Sequence, residues 1–404
     1  MLYLTYDGLT DGLGRSQVLP YIIGLCGIGH TYTIVSFEKE ERFSTDKDAV
    51  RELIEPYGIE WVPLRYTSTP PILSTVFDIL KLKRTVLKLL RSRGFEVVHC
   101  RSYITSLIGM HLKKHFGVRF IFDMRAFYAD ERIDGGLWNL RNPIYRAIFN
   151  YFKRKEKEFL STADHTISLT SKGRDIIHGW KGIGGQPIPI EVIPCCADLD
   201  HFNPSKVIPA LKQQLSAKLG LEGKGPVLVY LGSIGTWYML REMLDLFKVM
   251  LKTKPDAGFL FITTDPPERI RLQAEERGIR PDSLAIHPAK REEVPTFLSL
   301  ADVAIFFIKP VFSKSGSSPT KHGEMLGMGL PVIANSGVGD VDSIIEATGS
   351  GILVREFTEE AYGKAVCQIG GLLKTPVSTL QQAAQEYYSL QKGVERYDRV
   401  YRSL

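Results

Sequence analysis

Apolar residues along this chain alternate between two periods. Short runs ending in Gly, Ser or Asp predict strands at Leu2–Tyr6, Thr31–Phe37, Trp61–Pro63, Val97–Cys100, Phe120–Phe122 and Thr166–Leu169. Longer amphipathic stretches lie between them, clearest at Ser74–Arg93 and Pro143–Leu160, and a helix is expected to open at about Ser16. The alternation restarts after Pro194. Pro226–Leu231, Gly258–Thr263, Ser283–His287, Val303–Phe307, Val332–Ala334 and Ile352–Val354 read as strands, with a helix from about Leu240 and a helical composition over Leu380–Leu404. Repeated strand–helix–strand units imply parallel sheets covered on both faces. The expected fold class is α/β, with two doubly wound, Rossmann-like domains at residues 1–190 and 191–380 and a C-terminal helix at 381–404. Ligands of such sheets bind outside the carboxyl ends of the strands, so the expected site is a cleft faced by both domains.

Length and composition agree with this division. A chain of 404 residues exceeds one ordinary domain. With 44% hydrophobic and 24% charged residues it falls in the globular range, which excludes disordered and collagen-like classes. The net charge of +6 suits anionic substrates or lipid head groups and is too small to argue for nucleic acid, so no nucleic-acid partner is expected. Cys26, Cys100, Cys195, Cys196 and Cys367 form no C-x-x-C pair and no zinc spacing, and read as reduced thiols. The first residues carry no basic n-region, and no run of about 18 apolar residues is present. The expected location is cytoplasmic, soluble or at the inner face of the cell membrane.

Three loops carry candidate chemistry. The first, Tyr6 to Gln17, follows the first strand and holds Gly12 and Gly14, where bare backbone can approach an acceptor or an anion at a helix start. It lacks the third glycine of a dinucleotide fingerprint, since Gln17 stands there. The second, Gly232-Ser233-Ile234-Gly235-Thr236, repeats the construction, and Ser233, Thr236 and backbone amides suit a diphosphate. The third, Lys309 to Glu324, is basic and rich in small hydroxyl residues. Lys314 and Lys321 supply charge, Ser318 and Thr320 lead into a short helix, and Glu324 one turn in can accept two vicinal ribose hydroxyls. A structural turn or a solvated basic loop is the competing reading of each.

Four stretches together resemble a GT-B glycosyltransferase of the retaining family-4 type, the group 1 transferases. Val192-Ile193-Pro194-Cys195-Cys196-Ala197-Asp198 through Phe202 is similar to that family's interdomain joint. Pro319–Ala334 resembles its donor-site helix and G-x-P-V-I-A turn, and Ala163–Ile167 its late first-domain strand. Tyr6–Gln17 resembles the opening of sugar transferases from bacterial surface-polysaccharide clusters. The resemblance implies a nucleotide-sugar substrate on the C-terminal half, a glycan or lipid-linked acceptor on the N-terminal half, and a last helix with Tyr397 and Tyr401 crossing back. It implies retaining transfer without a metal or other cofactor, and gives Glu324 to the ribose.

The chain also departs from that pattern. Gly316 stands where the family's earlier motif glutamate would fall, and Ser233 and Thr236 replace its Arg and Lys. Where a first-domain His often lies, Phe122-Asp123-Met124-Arg125 is found; Arg125 and Asp130 are the catalytic candidates, with a buried Arg–Asp pair as the alternative. His99 at a strand end is a candidate cleft residue or a core histidine. Asp198-Leu199-Asp200 and Asp340-Val341-Asp342 are D-x-D pairs that are assigned no metal. The basic amphipathic stretch Ser74–Arg93 could contact an anionic membrane or simply cover the sheet. His287–Lys290 is a candidate for the base. Two other functions share the fold: a GT-B-type nucleotide-sugar 2-epimerase, and a non-catalytic sugar-nucleotide-binding partner subunit.

Overall fold

In the computed structural model, which describes residues 1–404, the apolar runs become thirteen strands in two sheets, every pairing parallel. The chain divides into a first unit, Met1–Pro194 with Leu390–Leu404, and a second, Cys195–Ser389. The seams thus lie at Pro194 and Leu390 rather than at 190 and 381.

The first unit holds β1 (Leu2–Thr5), β2 (Thr33–Glu38), β3 (Glu60–Arg65), β4 (Val97–Arg101), β5 (Arg119–Asp123), β6 (His165–Ser168) and β7 (Ile190–Val192). Their order is β3-β2-β1-β4-β5-β6-β7, so the winding reverses between β1 and β4. That reversal leaves a crevice at the carboxyl ends of the two strands. Strand β7 was not anticipated: it has three residues, set between Pro189 and Pro194, too short a run to show a period. Leu2, Leu4, Val98, Cys100, Phe120 and Phe122 are wholly buried in this unit's core. The Ser102–Phe116 helix lies closest to the sheet at Gly109, where an added Cβ would sit 2.5 Å from Cys100 Sγ and 2.6 Å from the Phe120 ring.

The first loop differs from expectation. Helix begins at Gly12, not Ser16, runs to Gln17, breaks at Val18 and resumes over Leu19–Gly27. Buried Glu38 causes the early start. Its carboxylate accepts from Leu9 N at 2.8 Å, Thr10 N at 3.1 Å and Thr10 Oγ1 at 2.5 Å, which pins the loop before the helix.

The C-terminal stretch also differs. It forms two helices, Val377–Tyr387 in the second unit and Leu390–Arg402 in the first. The break falls where Ala197 N donates to Tyr388 O at 2.8 Å and Ala197 bridges Ser389. The last helix packs on Leu19–Gly27, with Val394 over Gly24.

The second unit holds β8 (Val227–Leu231), β9 (Gly258–Ile262), β10 (Leu284–His287), β11 (Val303–Phe306), β12 (Val332–Asn335) and β13 (Gly351–Val354), in the order β10-β9-β8-β11-β12-β13. Here the reversal lies between β8 and β11. The middle strands are buried on both faces, as unbroken apolar runs require.

Gly109→Ala sets two effects against each other. Alanine favours a helix interior by about 1 kcal/mol, while forcing a methyl into a filled core costs about 1–3 kcal/mol. Because the contacts are a buried sulfur and a buried ring edge, packing should win, with a net loss of about 1 kcal/mol or more. A urea midpoint equal to or above that of the parent would refute this.

Candidate functional site

The richest cluster stands at the carboxyl ends of β8 and β11. Gly232 follows β8 with φ 111°, a left-handed backbone that favours glycine. A Cβ there would lie 3.2 Å from Lys321 Nζ. The loop it opens is tied to the segment after β11. Met239 N donates to Phe307 O at 2.9 Å, Lys309 N donates to Trp237 O at 3.0 Å, and Tyr238 bridges Ile308. Asn335, at the end of β12, clamps Ile308 through both main-chain groups, at 2.7 and 2.8 Å. The two loops therefore form one rim.

The Thr320–Gly327 helix brings Lys321 and Glu324 to that rim, three residues apart and so on one helical face. Lys321 is 8% exposed. Its ammonium lies 3.6 Å from the Tyr238 ring centroid and 4.3 Å from that of Tyr230, and donates to Tyr230 Oη at 3.3 Å. Burial lowers the Lys321 pKa to about 7, against the opposing pull of Glu324. Burial raises the Glu324 carboxyl above its ordinary range, although Arg291 and Lys321 both favour its charge. The Glu324 side chain is 12% exposed and lies 3.9 Å from the Arg291 guanidinium. Lys314 Nζ sits 3.7 Å from the Trp237 ring centroid. Two cations over three aromatic faces, with one carboxylate between cations, form a pocket wall suited to an anion and a polyhydroxyl group.

The seat of the helix is equally defined. A Cβ on Gly323 would meet Tyr388 Cβ at 2.5 Å, so the helix rests directly on that side chain. Tyr388 Oη and His322 Nδ1 are hydrogen-bonded at 2.8 Å, and burial pushes the His322 pKa down to about 3, keeping the ring neutral. Ser318 Oγ accepts from Cys195 N at 3.2 Å.

Among the second-unit candidates, Gly232, Lys321 and Glu324 are brought together, and Lys314 lies on the same rim. Thr320 opens the helix. Ser318 is engaged with the main chain at Cys195. Ser233 and Thr236 are exposed on the loop. Tyr230, Tyr238, Trp237 and Arg291 were missed. Arg291 comes one residue after the His287–Lys290 loop that the sequence singled out. The aromatic residues have a signal in hindsight, because they flank the glycines on both sides of Gly232 and Gly235. Asp198 Oδ1 accepts from His201 N at 3.0 Å, and Asp342 accepts from Gly337 N at 3.2 Å and from Ser336, so each D-x-D pair ties its own turn.

In the first unit the carboxyl ends of β4 and β5 are strained. Ser102 and Arg125 adopt φ of 70° and 62°, and left-handed backbone in a non-glycine residue costs on the order of 1 kcal/mol. Arg125 is mostly buried, with its guanidinium 3.7 Å from buried Asp123. Burial works against the charge of Asp123, but Arg125, His99 and Arg101 outweigh it and hold the carboxyl below its ordinary range. Arg101 Nε donates to Asp7 at 3.0 Å.

The structure places the remaining first-unit candidates as follows. His99 is 1% exposed and bonds Tyr401 Oη at 2.8 Å through Nδ1, with Asp123 at 3.4 Å on its other nitrogen. It is a core histidine holding the last helix, and burial lowers its pKa despite Asp123. Asp130 receives a hydrogen bond from Lys153 at 2.8 Å, so the aspartate paired with Arg125 is Asp123. Gly14 is buried against the loop, where a Cβ would lie 2.1 Å from Gly8 O, whereas Gly12 is exposed with open space around it.

Comparison with known proteins follows the same division of the chain. Residues 23–201 match the family model described as Glycosyltransferase Family 4, and residues 212–371 match Glycosyl transferases group 1. No curated protein matches the chain in sequence. Among solved structures, a glycosyltransferase from Rickettsia africae is 15% identical, with a TM-score of 0.72, covering 100% of this chain and 97% of its own. HepE of Anabaena, solved with UDP-glucose, is 12% identical with a TM-score of 0.70, covering 100% and 99%. WaaG, a glycosyltransferase involved in lipopolysaccharide biosynthesis, is 15% identical with a TM-score of 0.68, covering 97% of each chain. At these identities the likeness is one of fold, two Rossmann-like domains of the GT-B kind.

Proposed function

The chain belongs to the group 1 glycosyltransferases, and from that premise we propose that it moves a sugar from a nucleotide-diphosphate donor to a glycan or lipid-linked acceptor. The setting we assign is the building of a bacterial surface polysaccharide or related glycoconjugate. Two neighbours support the direction of this reading: one was solved with UDP-glucose, and another acts in lipopolysaccharide biosynthesis.

The observation that carries the proposal is the buried Lys321 ammonium beside Gly232, one helical turn from Glu324. A buried cation with an incomplete counter-charge is stabilised by an incoming anion. In this reading the donor diphosphate lies against Lys321 and the amides after β8, and Lys314 adds charge at the rim. Glu324, oriented by Arg291, accepts from the ribose hydroxyls. The acceptor falls to the carboxyl-end loops of the first unit, where Asp123 and a strained backbone fix Arg125.

The reaction we assign retains configuration and proceeds without a metal. The bond from the anomeric carbon to the donor phosphate breaks, and the acceptor oxygen bonds to that carbon on the same face. The acceptor proton passes to the departing phosphate oxygen. Such a transfer needs no strong protein base; the protein holds the reactants in register and stabilises the charge growing on the leaving diphosphate. Few paired carboxylates and several cations around Gly232 suit that division of labour. Gly316, buried at the end of the Phe312–Gly316 turn, removes one carboxylate from the sugar end of the usual pattern.

Thermal shift across a panel of nucleotide-sugars would identify the donor, since a ligand of the native state raises its apparent stability. Glu324→Ala is then expected to weaken that donor at least about tenfold, the loss of charged hydrogen bonds worth roughly 1.5–3 kcal/mol. An unchanged affinity by calorimetry, with melting unaltered, would remove the ribose assignment.

The Lys321 pKa of about 7 also predicts a pH profile. Its value in the folded protein lies below the ordinary lysine value of 10.5, so the lysine's burial penalty is full below about pH 7 and is relieved as pH rises. Donor binding follows the opposite trend. Below pH 7 the ammonium is already charged; above it, binding a diphosphate must take up a proton. Affinity should therefore fall above pH 7, by at most roughly tenfold per pH unit. Lys321→Met should weaken binding and flatten the profile. A parent profile already flat from pH 6 to 9 would count against Lys321 as the diphosphate cation.

A further inference from the structure

A cavity within the first unit reaches the carboxyl-end loops of its sheet through Tyr6, Tyr66, Tyr128 and Arg132. It is a groove of about 1080 Å³ over the Ser102–Phe116 helix, walled by the Leu73–Arg93 and Pro143–Thr162 helices. Ile104, Leu107 and Ile108 line it below, with Ile79, Trp138 and Phe152 at the sides. The volume exceeds the range of about 300–1,000 Å³ typical of small-molecule sites.

Its charge is one-sided. The lining includes Lys83, His111, Lys114, His115, Arg132 and Lys155, and no aspartate or glutamate. His111, Lys114 and His115 belong to the last turns of the Ser102–Phe116 helix, and the Lys83 charge acts on His111 there. His111 and His115 stack at 4.4 Å, and His111 is held below the ordinary imidazole range by desolvation together with Lys83 and His115. The surrounding surface is apolar. Leu73 is 66% exposed, and Val76, Phe77 and Leu80 on the same helix are exposed as well. Leu137 and Ile144 are exposed across the groove. A contiguous exposed apolar patch of this kind marks an interaction surface.

We propose that this face docks on an anionic phospholipid bilayer, with the groove taking up an acyl chain of one lipid and its phosphate resting on the Lys83–Lys114–His115 end. The dimensions agree. From Ile104 to His115 the floor helix advances about 17 Å, close to the roughly 15 Å of one leaflet, half of a hydrocarbon core about 30 Å thick. Exposed leucine, valine and phenylalanine flanking lysines are the pattern of a helix lying in a membrane interface. No helix of the chain is long and apolar enough to cross a membrane, so this would be contact from one side. The inference deepens the transferase reading, on which it rests for its purpose, since a lipid-linked acceptor lies in such a bilayer. Its physical test is independent of turnover.

The full chain would be sedimented with phosphatidylcholine vesicles, with and without phosphatidylglycerol. Binding is expected only with phosphatidylglycerol, and the double variant Lys83→Glu, Lys114→Glu should lose at least tenfold in affinity while keeping its melting temperature and donor binding. Phosphatidylglycerol brominated along its acyl chains should quench the fluorescence of Trp138, and Trp138→Phe should lose that component of quenching. Adsorption without quenching of Trp138 would overturn uptake of a chain. Absence of vesicle binding, or a concentration-dependent dimer that buries this face, would overturn the membrane assignment. Retained vesicle binding in a protein that binds no nucleotide-sugar would instead sink the donor reading and leave this one standing.

Discussion

A lysine ammonium withdrawn from water organises the second unit. Lys321 is held over Tyr230 and Tyr238 with Glu324 as the opposing charge that acts on it, and neither residue keeps its ordinary pKa. Aromatic faces offset part of the lost hydration, and the carboxylate offsets more, but a buried ion costs several kcal/mol beyond what imperfect pairing returns. The folded chain carries this cost at the carboxyl end of β8, where Gly232 leaves room for the ammonium. The surrounding construction keeps it there: the loops after β8 and β11 are laced together, and Asn335 holds Ile308 from the adjacent strand. A site strained by uncompensated charge is preorganised for a ligand of opposite sign.

The first unit solves a different problem at its own carboxyl ends. Asp123 is also wholly buried, but three positively polarised neighbours surround it, and its carboxyl is driven below the ordinary range rather than above it. His99, Tyr397 and Tyr401 close the network from beneath. The last helix is therefore fastened to the first unit by polar contacts as well as by the Val394–Gly24 packing. Asp123 Oδ1 and Arg101 Nη1 find no hydrogen-bond partner in the protein, so opposed charge as much as hydrogen bonding fixes this arrangement. Arg125 is thereby held at the carboxyl end of β5.

The architecture was legible because parallel strands buried on both faces leave unbroken apolar runs, and most such runs were located to within a residue or two. What escaped was short or locally compensated. Strand β7 has three residues between prolines, and the break at Tyr388–Ser389 depends on pairing with Ala197, nearly two hundred residues earlier in the chain. Within the cluster at the ends of β8 and β11, the glycine and the two charged helix residues could be read from spacing. Tyr230 and Tyr238 could not, because an aromatic beside a strand end reads as core until the lysine that stacks on it is placed. Arg125 illustrates the opposite limit: the sequence marked the residue, but the aspartate placed 3.7 Å from its guanidinium is Asp123, two positions away, while Asp130 pairs with Lys153.

The seat of the Thr320–Gly327 helix links the site to the chain's path. Cys195, the first residue of the second unit, donates its main-chain N–H to Ser318 just ahead of that helix. Tyr388, next to the last residue of the unit, carries Gly323 and His322 on its ring and hydroxyl. The two segments are paired to each other through Ala197, Tyr388 and Ser389. Neither contact is soft. Gly323 leaves no space for a methyl, and a His322 ring kept neutral by burial has no second protonation state to adopt near neutral pH. A ligand that shifts Lys321 and Glu324 by moving their helix must therefore act directly on the segments by which the chain enters and leaves the unit. A small displacement at a close-packed contact is transmitted rather than absorbed, because packed interiors have little free volume in which to relax.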